Sequence, residues 1–324
     1  MDSCQEHDIP GFEITAFVLK EGSSMKELKF LLDPMRLPFL VLTPACVFLG
    51  LSTAIWTQGS INWFHFVLTL IGALAAHISV NAFNEYFDFK SGLDAKTRRT
   101  PFSGGSGRLQ KNPELGKPAY LMSWGFLALV AVIGIYFSLK IGFGLLPLGL
   151  MGIILIYFYT EWITRTPFLC LIAPGLGFGT FMVMGTDYVL TGSYSWPAFV
   201  ASLIPFFLVS NLLLLNQFPD AEIDREVGRK HYPILIGKAR SSRIYLAFLI
   251  LPYVSIVFGV VFNVFPLSGL LGLLGLLLVA PIYRGVLAHA ENTNELIPVL
   301  VQNVLVNLVT PFTLGIGLLI GWPG

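Results

Sequence analysis

The chain has 324 residues, of which 55% are hydrophobic and 12% charged, with 20 Lys and Arg against 19 Asp and Glu. That charged fraction is about half the ~25% usual in soluble globular proteins, which excludes an ordinary water-soluble enzyme. A net charge of +1 gives no global reason to expect nucleic acid as a partner, and three scattered cysteines, Cys4, Cys46 and Cys170, supply neither a disulfide framework nor a zinc site.

Residues 1–36 carry seven acids and no long apolar stretch, so no cleavable signal peptide is expected. Met25, Leu28, Leu31 and Leu32 recur at helical spacing beside Lys26, Lys29 and Arg36. That pattern fits a short helix lying on the inner leaflet, or else a disordered tail. A bilayer core of ~30 Å needs about 20 apolar residues per helix. Nine such stretches follow, at about 37–56, 61–83, 119–139, 141–160, 168–186, 196–218, 244–263, 266–283 and 299–320. The expected fold is therefore all-α: a polytopic membrane protein with nine transmembrane helices in one bundle, residues 37–324, behind an N-terminal cytoplasmic or interfacial segment, 1–36.

Charge placement orients the bundle. With the N-terminus cytoplasmic, 19 of the 20 Lys and Arg fall on the inner side, leaving Lys140 outside, and Asp187 is the sole outer carboxylate. The expected location is the cell's cytoplasmic membrane, with the N-terminus and the chemistry inside and the C-terminus outside.

Two inner segments are long, and each opens on a similar cluster: Asn84-Glu85-Tyr86-Phe87-Asp88 with Asp94 following, and Asn216-Gln217-Phe218-Pro219-Asp220 with Asp224 following. They close the second and sixth spans, an offset of four helices, which reads as a four-helix pseudo-repeat plus a ninth helix. On a helix Asn84 and Asp88 share a face that His77 and Asn81 extend inward. Gly92 ends that helix and lets Asp94 fold back beside Asp88. Asn216, Asp220 and Asp224 repeat the i+4 step, with Pro219 kinking or ending the helix. Burying a carboxylate in hydrocarbon costs about 2.5–3.5 kcal/mol, so such groups face a cavity and carry a role. Four carboxylates around one volume repel unless a hard cation such as Mg²⁺ lies between them, and its remaining positions suit phosphate oxygens.

Lys90, Lys96, Arg98, Arg99 and Arg108 in the first loop, and Arg225, Arg229 and Lys230 in the second, stand near these acids. Of these, Lys90, Arg98, Arg108, Arg225 and Lys230 are the candidate phosphate-holding cations. The loop Ser103-Gly104-Gly105-Ser106-Gly107 reads as a hinge or lid, or as a backbone cradle for phosphate. Tyr157, Phe158 and Tyr159 end the fourth span, where their rings either stabilise a carbocation or mark the membrane interface. Asn303, Asn307 and Thr310 stripe the ninth span, for helix-to-helix bonding or cavity lining.

Nine spans, the two inner Asp clusters and the doubled Asn-x-x-x-Asp pattern resemble the UbiA superfamily of intramembrane prenyltransferases over nearly the whole chain. The spacing Asn84-x-x-x-Asp88-x-x-x-Gly92-x-Asp94 is similar to the branch that makes menaquinone-type quinones from 1,4-dihydroxy-2-naphthoate. So are Asp220-x-x-x-Asp224-Arg225-x-x-Gly228 and the segment from Arg36-Leu37-Pro38 through Pro44 to Gly50. The chain departs from that branch at Phe178, where such relatives carry an acid after Gly-Leu-Gly, at Pro219, and at Arg229-Lys230-His231.

The resemblance implies transfer of a prenyl group from an isoprenyl diphosphate to an aromatic acceptor. In that reading Asp88, Asp94, Asp220 and Asp224 bind two Mg²⁺ ions, Asn84 and Asn216 orient the cluster, and the cations, with Tyr157 and Tyr159, bind substrate. Membrane lipid surrounds the tunnel for the tail. The same motifs serve other acceptors, namely a geranylgeranylglyceryl phosphate, a phenazine, a chlorophyllide or a haem. A secondary transporter explains the carboxylates less well, since they lie at the cytoplasmic ends of the helices beside cations rather than at the midplane. A CDP-alcohol phosphotransferase would need a compact Asp-Gly…Ala-Arg…Gly…Asp…Asp pattern that is not found.

Overall fold

Backbone groups inside a bilayer must be satisfied within the chain. Residues 35–97, 100 and 105–323, those the computed structural model describes, accordingly form helices joined by short turns, with no strand among them. After a 3₁₀ turn at Leu37–Val41 comes α1, Leu42–Gln58. The second span, α2, is Trp63–Ser91. The Asn62 side chain caps its start by accepting the His65 N–H at 3.1 Å. Gly92 ends it at φ 74, a left-handed conformation that glycine adopts without a Cβ clash. This helix continues past the apolar stretch, so Asn84, Glu85 and Asp88 stand on its last two turns. The loop behind it holds α3, Leu93–Lys96, and α4, Arg108–Lys111.

The third span is α5, Gly116–Lys140, and the fourth is α6, Leu145–Phe158. At 14 residues α6 is shorter than the 141–160 expected, reaching about 21 Å. Gly142, at φ 153, and the turn at Tyr159 through Trp162 confine it. Eight helices are long and apolar enough to cross a membrane, and α6 is the ninth apolar helix among the described residues. The fifth span is composite: α7, Pro167–Gly175, a π-helical segment at Leu176–Val183, and α8, Met184–Thr191.

The sixth span is α9, Trp196–Asn216, capped by the Ser195 hydroxyl, which accepts the Ala198 N–H at 3.1 Å. The second inner segment contains α10, Ala221–Glu226, and α11, Tyr232–Ile236. The remaining spans are α12, Lys238–Val261; a 3₁₀ stretch, Leu267–Gly275, running into α13, Leu276–His289; and α14, Thr293–Ile320.

The largest buried core includes α1, α9, α12 and α14, where Leu49, Ile204, Leu208, Leu249, Ile256, Leu300 and Leu314 are fully buried. Between apolar helices in lipid, hydrogen bonds and close backbone approach replace the hydrophobic drive. Tyr245 donates to Asn303 Oδ1 at 2.9 Å, and the Tyr253 and Thr310 hydroxyls meet at 3.2 Å, joining α12 to α14. Asn307 donates to the Asn303 carbonyl in its own helix. At the opposite end of the bundle from the Asp clusters, Asp187 accepts from Thr53 at 2.8 Å and from Ser195 at 2.9 Å, a structural pin across three helices.

Gly179 lies against the α9 backbone, where an added Cβ would stand 2.5 Å from Phe206 N and 2.6 Å from Ser202 O. Backbone cannot yield as a flexible side chain does, so Gly179→Ala is expected to destabilise the protein by about 1–3 kcal/mol, read as a lower Tm in detergent. An unchanged Tm would show that the π-helical segment can move off α9.

Candidate active site

The two Asn-Asp clusters are far apart in sequence and meet at one end of the bundle. They close a cavity of about 570 Å³ walled by α2, α5, α6, the composite fifth span and α9. Asp88, Asp94, Asp220 and Asp224, the four candidate metal carboxylates, line it together with Asn84 and Asn216, the asparagines expected to orient the cluster. Asp88, Asp94 and Asp224 are 6%, 3% and 2% exposed, so their charges depend on the cavity and not on bulk water. The i+4 ladder of the second cluster is not one helix. The α9 helix ends at Asn216, a turn containing Pro219 follows, and Asp224 sits on α10. Proline at this point lacks the N–H that a continuing helix needs. The turn still leaves all three side chains on the same cavity.

Arg229, not singled out for this role by sequence, joins the clusters. Its guanidinium pairs with Asp88 Oδ1 through Nη2 and with Asp224 Oδ1 through Nη1, the latter at 3.0 Å. Burial lowers the pKa of Arg229, but Asp88 and Asp224 outweigh that effect, and the net direction is upward. His231 completes the set with Nε2 2.9 Å from Asp224 Oδ2. The departure noted at Arg229-Lys230-His231 thus places two side chains in the cavity and directs the intervening lysine away.

The first cluster is organised by Glu85, which is 1% exposed. Ser106 donates its N–H to both Glu85 oxygens, at 3.0 and 2.9 Å, and its hydroxyl to Oε1, while Arg36 Nη2 stands 3.8 Å from Oε2. This contact holds Gly105, at φ 62, against the Asp94 carboxylate. Asp94 Oδ2 has no hydrogen-bond partner among the described residues. Burial first, then the Asp88 and Glu85 charges, push its carboxyl up to about 7. Asn216 Oδ1 and His231 Nδ1 are likewise buried without a partner among the described residues. Buried polar atoms left so are costly unless a ligand completes them.

Other candidate residues lie elsewhere. Tyr159 lines the cavity, whereas Tyr157 packs into an aromatic cluster, 5.5 Å from Phe83 and 5.2 Å from Trp124 between ring centroids. Lys90, Arg108, Arg225 and Lys230 are exposed and outside the cavity lining. Arg225 donates to the Ile234 carbonyl at 3.3 Å, and the Lys230 N–H donates to the Thr164 carbonyl. Lys96 reaches Glu226 at 2.8 Å, linking α3 to α10 at the surface. Arg98, Arg99 and loop residues 103–104, like residues 1–34, lie outside the described residues. Beyond the polar end the cavity becomes apolar, lined by Val80, Ile133, Leu148 and Ile153, and it reaches exposed Ile135 and Leu150.

The residues fit a hard divalent cation held jointly with an anionic substrate. The donors are carboxylate and amide oxygens, and one buried carboxylate oxygen has no partner among the described residues. No group of three His, Cys, Asp or Glu among the described residues is arranged to hold a metal unaided, consistent with substrate oxygens completing the shell.

Comparison with known proteins identifies relatives of the chain. The profile described as the UbiA prenyltransferase family matches residues 42–297. The 1,4-dihydroxy-2-naphthoate octaprenyltransferase of Haemophilus influenzae is 26% identical over 316 residues, covering 91% of this chain and 97% of that protein. The Bacillus subtilis protein of the same name is 29% identical over 195 residues, 59% of this chain and 61% of that protein. Among solved structures, a UbiA homolog from Archaeoglobus fulgidus bound to DMAPP and Mg²⁺ superposes with a TM-score of 0.57 at 16% identity, over 88% of this chain and 98% of that one.

Proposed function

The chain belongs to the UbiA prenyltransferase family, and from that premise we propose that it transfers a prenyl group from an isoprenyl diphosphate to an aromatic acceptor of the 1,4-dihydroxy-2-naphthoate type. One observation carries the reading. One cavity joins a carboxylate-rich end to an apolar arm that reaches exposed apolar side chains on the outside of the bundle. A molecule with a diphosphate head and an isoprenoid tail has the same division. The acceptor class rests on the names of the relatives above.

Asp88, Asp94, Asp220 and Asp224 would hold Mg²⁺, two ions in this proposal, and when bound the metal stabilises the charge of the departing diphosphate. Arg229 supplies a fixed cation at the same place, close to where the leaving group gathers negative charge. Asn84, tied to Thr160 Oγ1 at 3.3 Å, and Asn216 orient the head group. The allylic C–O bond then breaks to give a carbocation. The Tyr159 ring and the apolar walls border it without supplying the water that would quench it. The electron-rich ring attacks C1, forming the C–C bond and losing a proton. The positive-inside charge pattern supports a site on the cytoplasmic face of the cell membrane.

The test is pyrophosphate release by purified protein in nanodiscs with geranylgeranyl diphosphate, 1,4-dihydroxy-2-naphthoate and Mg²⁺, each omitted in turn, with EDTA as the metal-free arm. Release requiring all three, with a prenylated naphthalene product, is expected. Release unaffected by EDTA would overturn the metal role. Release restored only by another aromatic or an alcohol would overturn the acceptor assignment.

A further inference from the structure

The proposed mechanism leaves His77 unused, although it lines the reaction cavity and is 4% exposed. His77 lies eleven residues before Asp88 on α2. At 3.6 residues per turn this is just over three full turns, so the two side chains share a face with ~16 Å of helix between them. Asn81 and Asn84 stand between them and also line the cavity.

Three elements fix the His77 ring. From α1, the fully buried Thr43 hydroxyl meets Nδ1 at 2.8 Å. From the π-helical segment, Phe178 packs against the ring with centroids 4.7 Å apart and planes at 84°. Its own helix supplies the third constraint. π-Helical turns re-aim the side chains they carry, and Phe178 lines the cavity from this one. Among the described residues no partner meets Nε2. In one tautomer that nitrogen is a donor and in the other an acceptor, and a hydroxyl, which both donates and accepts, answers either.

We infer that His77 Nε2 binds a ring hydroxyl of the acceptor, about three helical turns along the cavity from the Asp88 carboxylate. The inference rests on the prenyl-transfer reading and adds the group that recognises the acceptor. With the diphosphate at Asp88 and the isoprenoid tail in the apolar arm, the stretch of α2 between Asp88 and His77 is left for the aromatic ring. The end of that ring near His77 meets a hydrogen-bonding group, so the site selects a phenol-type acceptor over a fully alkylated ring. The competing account is that His77 serves only to hold Thr43, joining α1 to α2. A purely structural bond would not distinguish acceptor from donor.

The experiment measures KM separately for geranylgeranyl diphosphate and for 1,4-dihydroxy-2-naphthoate in the wild type, His77→Phe and His77→Gln, and repeats it with the two monomethyl ethers of the acceptor. His77→Phe is expected to raise the acceptor KM about tenfold or more while the donor KM stays within about twofold, since an unmade buried hydrogen bond costs on that order. His77→Gln, which keeps a donor and an acceptor, should recover part of the loss. One ether should be as poor for the wild type as the parent acceptor is for His77→Phe, and that ether should cost His77→Phe nothing further.

Parallel changes in both KM values, or an unchanged acceptor KM, would overturn the inference. If His77→Phe does not fold, equal KM values for the parent and both ethers in the wild type would overturn it. An active wild type with an insensitive His77→Phe refutes this inference alone. A wild type without turnover refutes the functional reading as well.

Discussion

Asp88→Ala is expected to reduce prenyl transfer by about 10³-fold or more while the protein still inserts and folds. The carboxylate stands where three contributions meet. It lines the cavity beside Asp94, it is buried, and it carries one arm of the Arg229 bridge to the second cluster. Removing it takes away a metal-holding oxygen and releases the guanidinium towards Asp224 alone. The fold should tolerate the change, because α2 is held elsewhere by apolar packing, by the Asn62 cap and by the stop at Gly92. The check is product formation from geranylgeranyl diphosphate alongside a thermal melt in detergent. Wild-type turnover in a folded variant would remove the metal site from Asp88. Asp220→Ala tests the second cluster in the same way.

Arg229→Ala should show its effect first in stability and only then in rate. Two buried carboxylates lose their common counterion, and breaking a buried pair from one side costs about 3–5 kcal/mol. In Mg²⁺-free buffer the variant's Tm should therefore fall well below that of the wild type. Adding Mg²⁺ should raise the Tm of the variant more than that of the wild type, because in the wild type the metal competes with Arg229 for the same oxygens. Equal Mg²⁺-induced shifts would show that guanidinium and cation occupy different places. Turnover should fall as well, since a fixed cation beside the departing diphosphate is lost.

The position of Arg229 also shows where reading the sequence falls short. Among the second loop's cations, Arg225 lies closer to the Asp pair in sequence than Arg229 does, and Lys230 only one residue farther. The break at Pro219, the short helix Ala221–Glu226 and the turn at Gly228, φ 83, rotate Arg229 into the cavity and its neighbours out of it. Glu85 was similarly hidden within the first cluster, next to the residues singled out for chemistry. Its partner Ser106 belongs to a Gly-Ser stretch whose composition specifies mobility and not a contact. Tyr157 and Tyr159 sit two residues apart at the end of one short helix, and only the turn there separates an aromatic cluster from a cavity wall.

By itself the sequence determined the helical class, the approximate spans, the gathering of charge into alternate loops, and six cavity residues in two clusters. These follow from hydropathy, charge placement and i+4 spacing, all of which are local along the chain. Tertiary structure alone decided which cation joins the clusters, that α6 is only 14 residues long, and that Thr43 and Phe178 brace the His77 ring. The physical reason is separation along the chain. Asp88 and Arg229 lie 141 residues apart, and their contact depends on how α2 and α9 come together with the loops behind them, a relation that no local pattern encodes.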